Sequence, residues 1–233
     1  MNFCETAYRS VIGRIEAVRG EHAPAGSVSL LAVSKTQPAE AIRALAELGQ
    51  HAFGENYVQE ALAKQRELAD LDLEWHLIGP LQSNKCREVA EHFDWLQSLD
   101  RAKLIEPLAR YRATDRAPLN VLIQVNIDDE ASKSGCAPAD IGRLADRVAA
   151  TATLRLRGLM AIPAPDPARR GYAFMRMRAL FEALRATHAG LDTLSMGMSD
   201  DFELAIAEGA TMVRVGSLLF GRRAVPAARR PST

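Results

Sequence analysis

The sequence carries no excess of charge of either sign. Its 29 Lys and Arg balance 29 Asp and Glu, and no long basic block interrupts the balance. That argues against a nucleic-acid partner and against an anionic membrane surface. No uninterrupted apolar run approaches the length that spans a bilayer. The first twenty residues hold Glu5, Arg9, Arg14, Glu16 and Arg19 and lack the apolar stretch of a secretory signal. Cysteine is scarce. Cys4, Cys86 and Cys136 are far apart and odd in number, which suits a reducing cytoplasm and gives no metal-ligand spacing. His22, His51, His76, His92 and His188 show no such spacing either. There is no G-x-S-x-G elbow, no G-x-x-x-x-G-K loop and no G-x-G-x-x-G turn. No linker rich in Gly, Ser or Pro divides the chain.

What is present is a globular composition, 48% hydrophobic and 25% charged, over 233 residues, a length ordinary for a single α/β barrel. Phe3, Ala7, Val11, Ile15 and Val18 recur at nearly four-residue spacing and predict an amphipathic helix ahead of the first strand. Strand signals then follow at 28–34, 50–56, 73–79, 94–99, 119–125, 156–161, 191–196 and 211–215. Helical patterns fall between them, at 39–48, 57–69, 85–92, 101–113, 138–151, 168–188 and 200–208. Eight strands alternating with helices point to a closed (β/α)8 barrel of the TIM type with an extra N-terminal helix. An open doubly wound sheet is the alternative. One domain is expected over 1–223, with a short basic tail, 224–233, expected to be mobile.

The first strand is the clearest. Val28-Ser29-Leu30-Leu31-Ala32-Val33 runs without polar alternation into Ser34 and Lys35, and Pro38 opens the next helix. Lys35 therefore stands where a buried strand ends, the place at which parallel α/β folds handle ligands. An amine held there against apolar surface is poised to attack aldehydes. Taken alone, the residue reads first as a surface lysine at a loop edge, and the rest of the chain has to shift that balance. His76 lies inside a strand and reads as a hydrogen-bonded core residue rather than a base, and Trp75 and Trp95 read as packing at a sheet–helix boundary.

A second constellation lies at the seventh and eighth strands. Gly216 allows close backbone approach, and the amides of Gly216, Ser217 and Leu218 would open a short turn that suits an anion. Ser199 supplies a hydroxyl to the same place or caps its own helix. Asp200 and Asp201 would repel a phosphate and are expected to point outward. Arg214 interrupts an apolar strand and needs a partner, either a carboxylate on an adjacent strand or an acceptor on a ligand. The first and eighth strands of a closed barrel are neighbours, so one ligand with an aldehyde and a phosphate could bridge Lys35, Arg214 and the Gly216–Ser217 turn.

Several segments in order resemble the pyridoxal phosphate homeostasis proteins. They are Ala32-Val33-Ser34-Lys35-Thr36, Phe53-Gly54-Glu55-Asn56-Tyr57-Val58-Gln59-Glu60 and the run from Trp75 to Lys85. Ser132-Lys133-Ser134-Gly135, Gly158-Leu159-Met160, the run from Ser195 to Asp200 and Val213-Arg214-Val215-Gly216-Ser217 complete the set. That family consists of single-domain barrels similar to the N-terminal domain of alanine racemase. The resemblance implies pyridoxal 5′-phosphate as cofactor, held as an aldimine on Lys35. It implies phosphate contacts from Ser199, Gly216 and Ser217, Arg214 directed at the pyridine nitrogen, and Asn56 and Met196 along the pocket. It implies a role in cofactor storage and delivery, with apo enzymes that use the cofactor as recipients.

An arginine only donates, so it leaves a pyridine nitrogen unprotonated and weakens the ring as an electron sink. In alanine racemase the second acid–base group is a tyrosine from a second domain across a dimer; no such domain is expected here, and Tyr57, near the barrel mouth, is the stand-in. A non-catalytic, monomeric, cytoplasmic carrier is therefore expected. The alternatives are a weak racemase or transaminase at the same site, a cofactor-free Schiff-base aldolase and a purely structural barrel. Lys133 is the reserve lysine, as a transient acceptor in the loop after the fifth strand.

Overall fold

The computed structural model describes residues 3–22, 28–130 and 134–221. The tail 224–233 and Lys133 lie outside the described residues. Eight parallel strands close into a barrel in sequence order: β1 (Ser29–Val33), β2 (Ala52–Glu55), β3 (Glu74–Leu77), β4 (Trp95–Leu99), β5 (Leu119–Gln124), β6 (Leu154–Met160), β7 (Thr193–Ser195) and β8 (Met212–Val215). β8 returns to β1 with Leu31 opposite Arg214 and Ala32 opposite Val215, which seals the sheet and removes its edges. The fold expected from the alternation is the fold observed.

The helices form the outer layer: α1 (Phe3–His22), α2 (Ala39–Ala46), α3 (Val58–Glu67), α4 (Cys86–His92), α5 (Ile105–Tyr111), α6 (Ile141–Ala149), α7 (Pro167–Arg185), α8 (Phe202–Ala207) and α9 (Ser217–Phe220). Local sequence explains their limits. Pro167 stands at the start of α7, and the Asp166 carboxylate accepts from the Ala168 amide at 3.0 Å. α6 buries Ile141, Leu144, Ala145 and Val148 on one face. α1 lies against α8 and α9, and Arg14 reaches the Glu203 carboxylate at 2.8 and 2.9 Å.

Side-chain parity divides the core in two. Residues on the outer face of the sheet, such as Phe53, Leu77, Leu96, Val121, Ile123, Leu194 and Val213, join the large apolar layer under the helices. Trp95, Leu122 and Met160 form a separate small cluster inside the barrel. Trp95 is thus not at the sheet–helix boundary, as expected from sequence, but within the barrel, stacked on His76 with ring centroids 5.0 Å apart. Trp75 does lie on the helix side, tilted against Phe53. β6 begins two residues earlier than its apolar pattern suggests, and its pairing with β5 shifts by one residue at Arg157.

Candidate functional site

The C-terminal ends of the strands surround a cavity of about 480 Å³. Lys35, Asn56, Ser199, Arg214, Gly216 and Ser217 all line it. The amine, the buried arginine and the glycine–serine turn, separated by up to 182 positions in sequence, thus share one enclosure. The closure of β8 onto β1 is what brings them together.

Lys35 sits half-buried in the turn after β1, and both peptide groups beside it are tied down. The Ser34 carbonyl accepts from Lys64 Nζ at 2.8 Å and from the Gln37 amide at 3.0 Å. The Thr36 amide donates to Glu60 Oε1. Thr36 itself has φ 64°, left-handed backbone that a β-branched residue adopts only when its surroundings impose it. Lys64 also reaches Glu55 and Glu60, each at 2.7 Å, and the Ser34 hydroxyl donates to Glu55 at 2.6 Å. Burial pushes the Glu55 carboxyl above its ordinary value, against the opposing pull of Lys64 and Ser34.

Arg214 is 3% exposed, and its hydrogen-bond partners are neutral: the Ser195 hydroxyl and the Ala161 carbonyl, both at 2.8 Å. Among the described residues no carboxylate pairs with it. Burial lowers its pKa to about 10, opposed by the field of Asp201, so it remains a cation at neutral pH. A buried cation hydrogen-bonded only to neutral oxygens is well matched to an acceptor atom presented from the cavity.

Gly216 follows β8 and precedes α9. A Cβ at this position would come within 3.1 Å of the Val33 carbonyl oxygen, so glycine lets the end of β8 close on the end of β1. The amides of Ser217 and Leu218 open the first turn of α9, where a helix has no internal acceptor for them. Ser199 is not spent as a helix cap. The residue before α8 is Asp201, and the Ser199 hydroxyl faces the Gly216 amide at 3.4 Å. Across the mouth, a Cβ on Gly79 would fall 2.2 Å from the Asn56 carbonyl oxygen, so the end of β3 packs directly on the Asn56 backbone.

Two expectations need correction. Met196 does not line the cavity. Ser195 at the end of β7 faces inward, and the next residue, Met196, turns to the helix side, where it is fully buried in the large apolar layer. Met198 lines the cavity instead. Nor do both aspartates turn away. Asp200 is exposed yet lines the cavity, whereas the Asp201 side chain is only 7% exposed and folded inward. Its carboxylate accepts from the Met198 amide at 2.6 Å and lies 3.4 Å from Arg170. Tyr57 is 62% exposed and is not among the lining residues.

Sequence reasoning passed over Gln124, Ile78 and Ile162 on the cavity wall, and the Glu55–Lys64–Glu60 cluster behind Lys35. A signal for the cluster existed: Lys64 falls on the buried line of α3 with Val58 and Ala61.

This geometry has counterparts. The model of the alanine racemase N-terminal domain matches residues 13–224. A pyridoxal phosphate homeostasis protein from Pseudomonas aeruginosa is 56% identical over 210 residues, covering 89% of this chain and 90% of that protein. One from Escherichia coli K12 is 53% identical over 201 residues, covering 84% and 86%. Among solved structures, PipY of Synechococcus elongatus with PLP bound is 41% identical, with a TM-score of 0.80 over 94% of this chain and 100% of PipY. Alanine racemase from E. faecalis shares the barrel alone, at 15% identity and a TM-score of 0.68. The fold is that of an alanine racemase-type barrel. Within that class, the chain belongs to the pyridoxal phosphate homeostasis proteins.

Proposed function

We propose that the protein binds pyridoxal 5′-phosphate through the Lys35 amine and serves as an intracellular carrier that holds the cofactor and passes it on. The observation that carries this reading is the single cavity shared by Lys35, Arg214 and the Gly216–Ser217 turn. The relatives named for pyridoxal phosphate homeostasis and the PLP-bound PipY support it. The cofactor, when bound, supplies a reactive aldehyde and an electron-withdrawing ring. The chain supplies everything else. Lys35 is the covalent anchor, fixed by the hydrogen bonds on either side of it. The hydroxyls of Ser199 and Ser217 and the first amides of α9 hold the phosphate. Asp200 is exposed, so solvent and salt screen its repulsion of that anion. Arg214, which donates only, would meet the ring nitrogen, and Asn56 would form the wall toward β3.

Two features favour carriage over turnover. Arg214 keeps its protons and only donates, which leaves the ring a weak electron sink. No tyrosine is among the described cavity residues, and a racemase needs a second acid–base group on the opposite face. Three free cysteines suit a reducing cytoplasm, and no described helix is long and apolar enough to cross a membrane. A monomer that hands the cofactor to apo enzymes completes the reading.

The test is a spectrum. Protein loaded with pyridoxal 5′-phosphate should show a visible band that borohydride abolishes, with the reduced label mapped to Lys35. A Lys35→Ala protein that keeps the band would move the anchor elsewhere. Incubation with alanine in deuterium oxide should give no exchange at the α-carbon; sustained exchange would favour a weak racemase or transaminase.

A further inference from the structure

A line of polar side chains crosses the barrel interior from the cavity to the opposite end. Arg214 Nη1 lies 2.8 Å from Ser195 Oγ. Ser195 Oγ lies 2.7 Å from Gln97 Oε1. Gln97 Nε2 lies 2.9 Å from His76 Nδ1, and His76 Nε2 lies 2.7 Å from Glu74 Oε1. Ser195, Gln97 and His76 are fully buried, while the Glu74 side chain is 44% exposed at the N-terminal end of β3. Four strands, β3, β4, β7 and β8, contribute to the line.

A count of protons fixes its direction. Arginine has no acceptor, so Arg214 donates and Ser195 Oγ accepts. The hydroxyl has one hydrogen, which goes to Gln97 Oε1. The Gln97 amide is thereby oriented with its NH2 toward His76. His76 Nδ1 must accept, so the imidazole is neutral and its single proton sits on Nε2, donated to Glu74. Every link donates the same way, from a buried cation at the cavity to a carboxylate at the far rim. A ring proton on Nδ1 would oppose the Gln97 NH2. The amide would have to flip, and its NH2 would then compete with Arg214 for Ser195 Oγ. Burial also favours the neutral ring, against the pull of the Glu74 and Asp94 carboxylates and with the Arg157 charge assisting.

We propose that Gln97 and His76 are positioning residues for Arg214. By fixing the rotor of the Ser195 hydroxyl, they hold the guanidinium in the one orientation that leaves its remaining donor capacity for the ligand. The proposal rests on the reading that Arg214 meets the ring of a bound pyridoxal 5′-phosphate. It goes beyond that reading in assigning the control of the ring contact to residues that never touch the cavity: neither Gln97 nor His76 lines it.

The first measurement uses wild-type protein without cofactor. Nitrogen-15 NMR of the labelled histidines should show His76 as a neutral ring protonated at Nε2. A protonated ring, or a proton on Nδ1, overturns the donor order. The second uses Gln97→Leu and Ser195→Ala, each titrated with pyridoxal 5′-phosphate after its fold is checked by circular dichroism. Loss of one orienting hydrogen bond predicts affinity weakened roughly three- to ten-fold. The visible band should move, while borohydride still labels Lys35. The band shift separates positioning from mere destabilisation, because a looser fold with an intact Arg214 contact would leave the band in place. Both variants binding with wild-type affinity and an unmoved band overturn the relay alone. Wild-type protein that takes up no cofactor overturns the cofactor reading, and this inference with it. Should either variant fail to fold, the other variant and the wild-type histidine spectrum still decide the matter.

Discussion

Lys64 Nζ donates to the carbonyl oxygen of Ser34 at 2.8 Å, one peptide away from the residue that faces the ligand cavity. The same ammonium holds Glu60, and Glu60 accepts the Thr36 amide on the other side of Lys35. The presentation of the Lys35 amine is therefore set from behind, by a lysine on α3 whose own side chain is 7% exposed.

Removing that ammonium strands two carboxylates, one of them, Glu55, fully buried. Loss of one partner from a buried ion pair costs about 3 kcal/mol or more. Lys64→Met should therefore lower unfolding free energy by about that amount, measured in urea. Glu60→Gln keeps a carbonyl oxygen for the Thr36 amide and should cost only about 1 kcal/mol. In both variants the Lys35 turn loosens, and reaction of the amine with free pyridoxal 5′-phosphate should slow even where the fold survives. Unchanged stability in Lys64→Met would show that the cluster does not brace the turn.

Gly79 admits no side chain. An added Cβ would stand 2.2 Å from the Asn56 carbonyl oxygen and 2.7 Å from its Cα, and backbone cannot give way as a flexible side chain can. Overpacking of this kind costs about 3 kcal/mol. Gly79→Ala should fall by that amount in urea denaturation and lose cofactor affinity as the Asn56 wall shifts. Gly142→Ala is the control: it lies within α6 with open space around it and should be neutral or slightly stabilising.

The barrel was legible in the sequence because strand signals alternate eight times with helical patterns, and the clearest strands, β1 and β5, read as near-continuous apolar runs. Lys35, Arg214, Ser199 and the Gly216–Ser217 turn were legible because polar residues and glycines stand out at the ends of those runs. Parity was harder to read. Met196 was placed on the cavity and Trp95 on the helix side, and in the structure each faces the other way. A three-residue strand such as β7 gives no alternation from which to read a face. Gln97, Ser195 and Glu74 carried no sequence signal of a shared line, since their contacts join strands up to 98 positions apart.

The cysteines should separate cleanly by reactivity. Burial pushes the Cys136 thiol up to about 12, aided by the nearby Asp140 carboxylate. At pH 8 only about one molecule in ten thousand then carries its thiolate, the form that reacts. Burial raises Cys86 as well, and it is 1% exposed. Cys4 on α1 is half-buried. An aromatic disulfide reagent at pH 8 should label Cys4 first in native protein and all three thiols in urea. Rapid native labelling of Cys136 would contradict its burial beside Val125.

The Arg14–Glu203 pair should make stability depend on acid pH. The hydrogen bond from Arg14 holds the Glu203 carboxyl below its ordinary value, with burial opposing and the Arg14 charge assisting. A carboxyl depressed in the folded state binds fewer protons there than in the unfolded chain. Its contribution is complete above the unfolded carboxylate pKa, about 4.3, and is lost as pH falls through the lower folded value. Arg14 and Glu203 are 39% and 46% exposed, so screening limits the contribution to about 0.5–1 kcal/mol. Glu203→Gln should be less stable than the parent by that amount at pH 7, with the difference vanishing in strong acid and shrinking in high salt. The guanidinium also rests 4.6 Å from the centre of the Phe202 ring, a contact that Glu203→Gln leaves in place. Arg14→Ala removes both interactions and should cost more than Glu203→Gln, with a part of the loss that persists at low pH. Equal losses for the two variants at every pH would mean that the contact of Arg14 with the Phe202 ring contributes nothing beyond the ion pair.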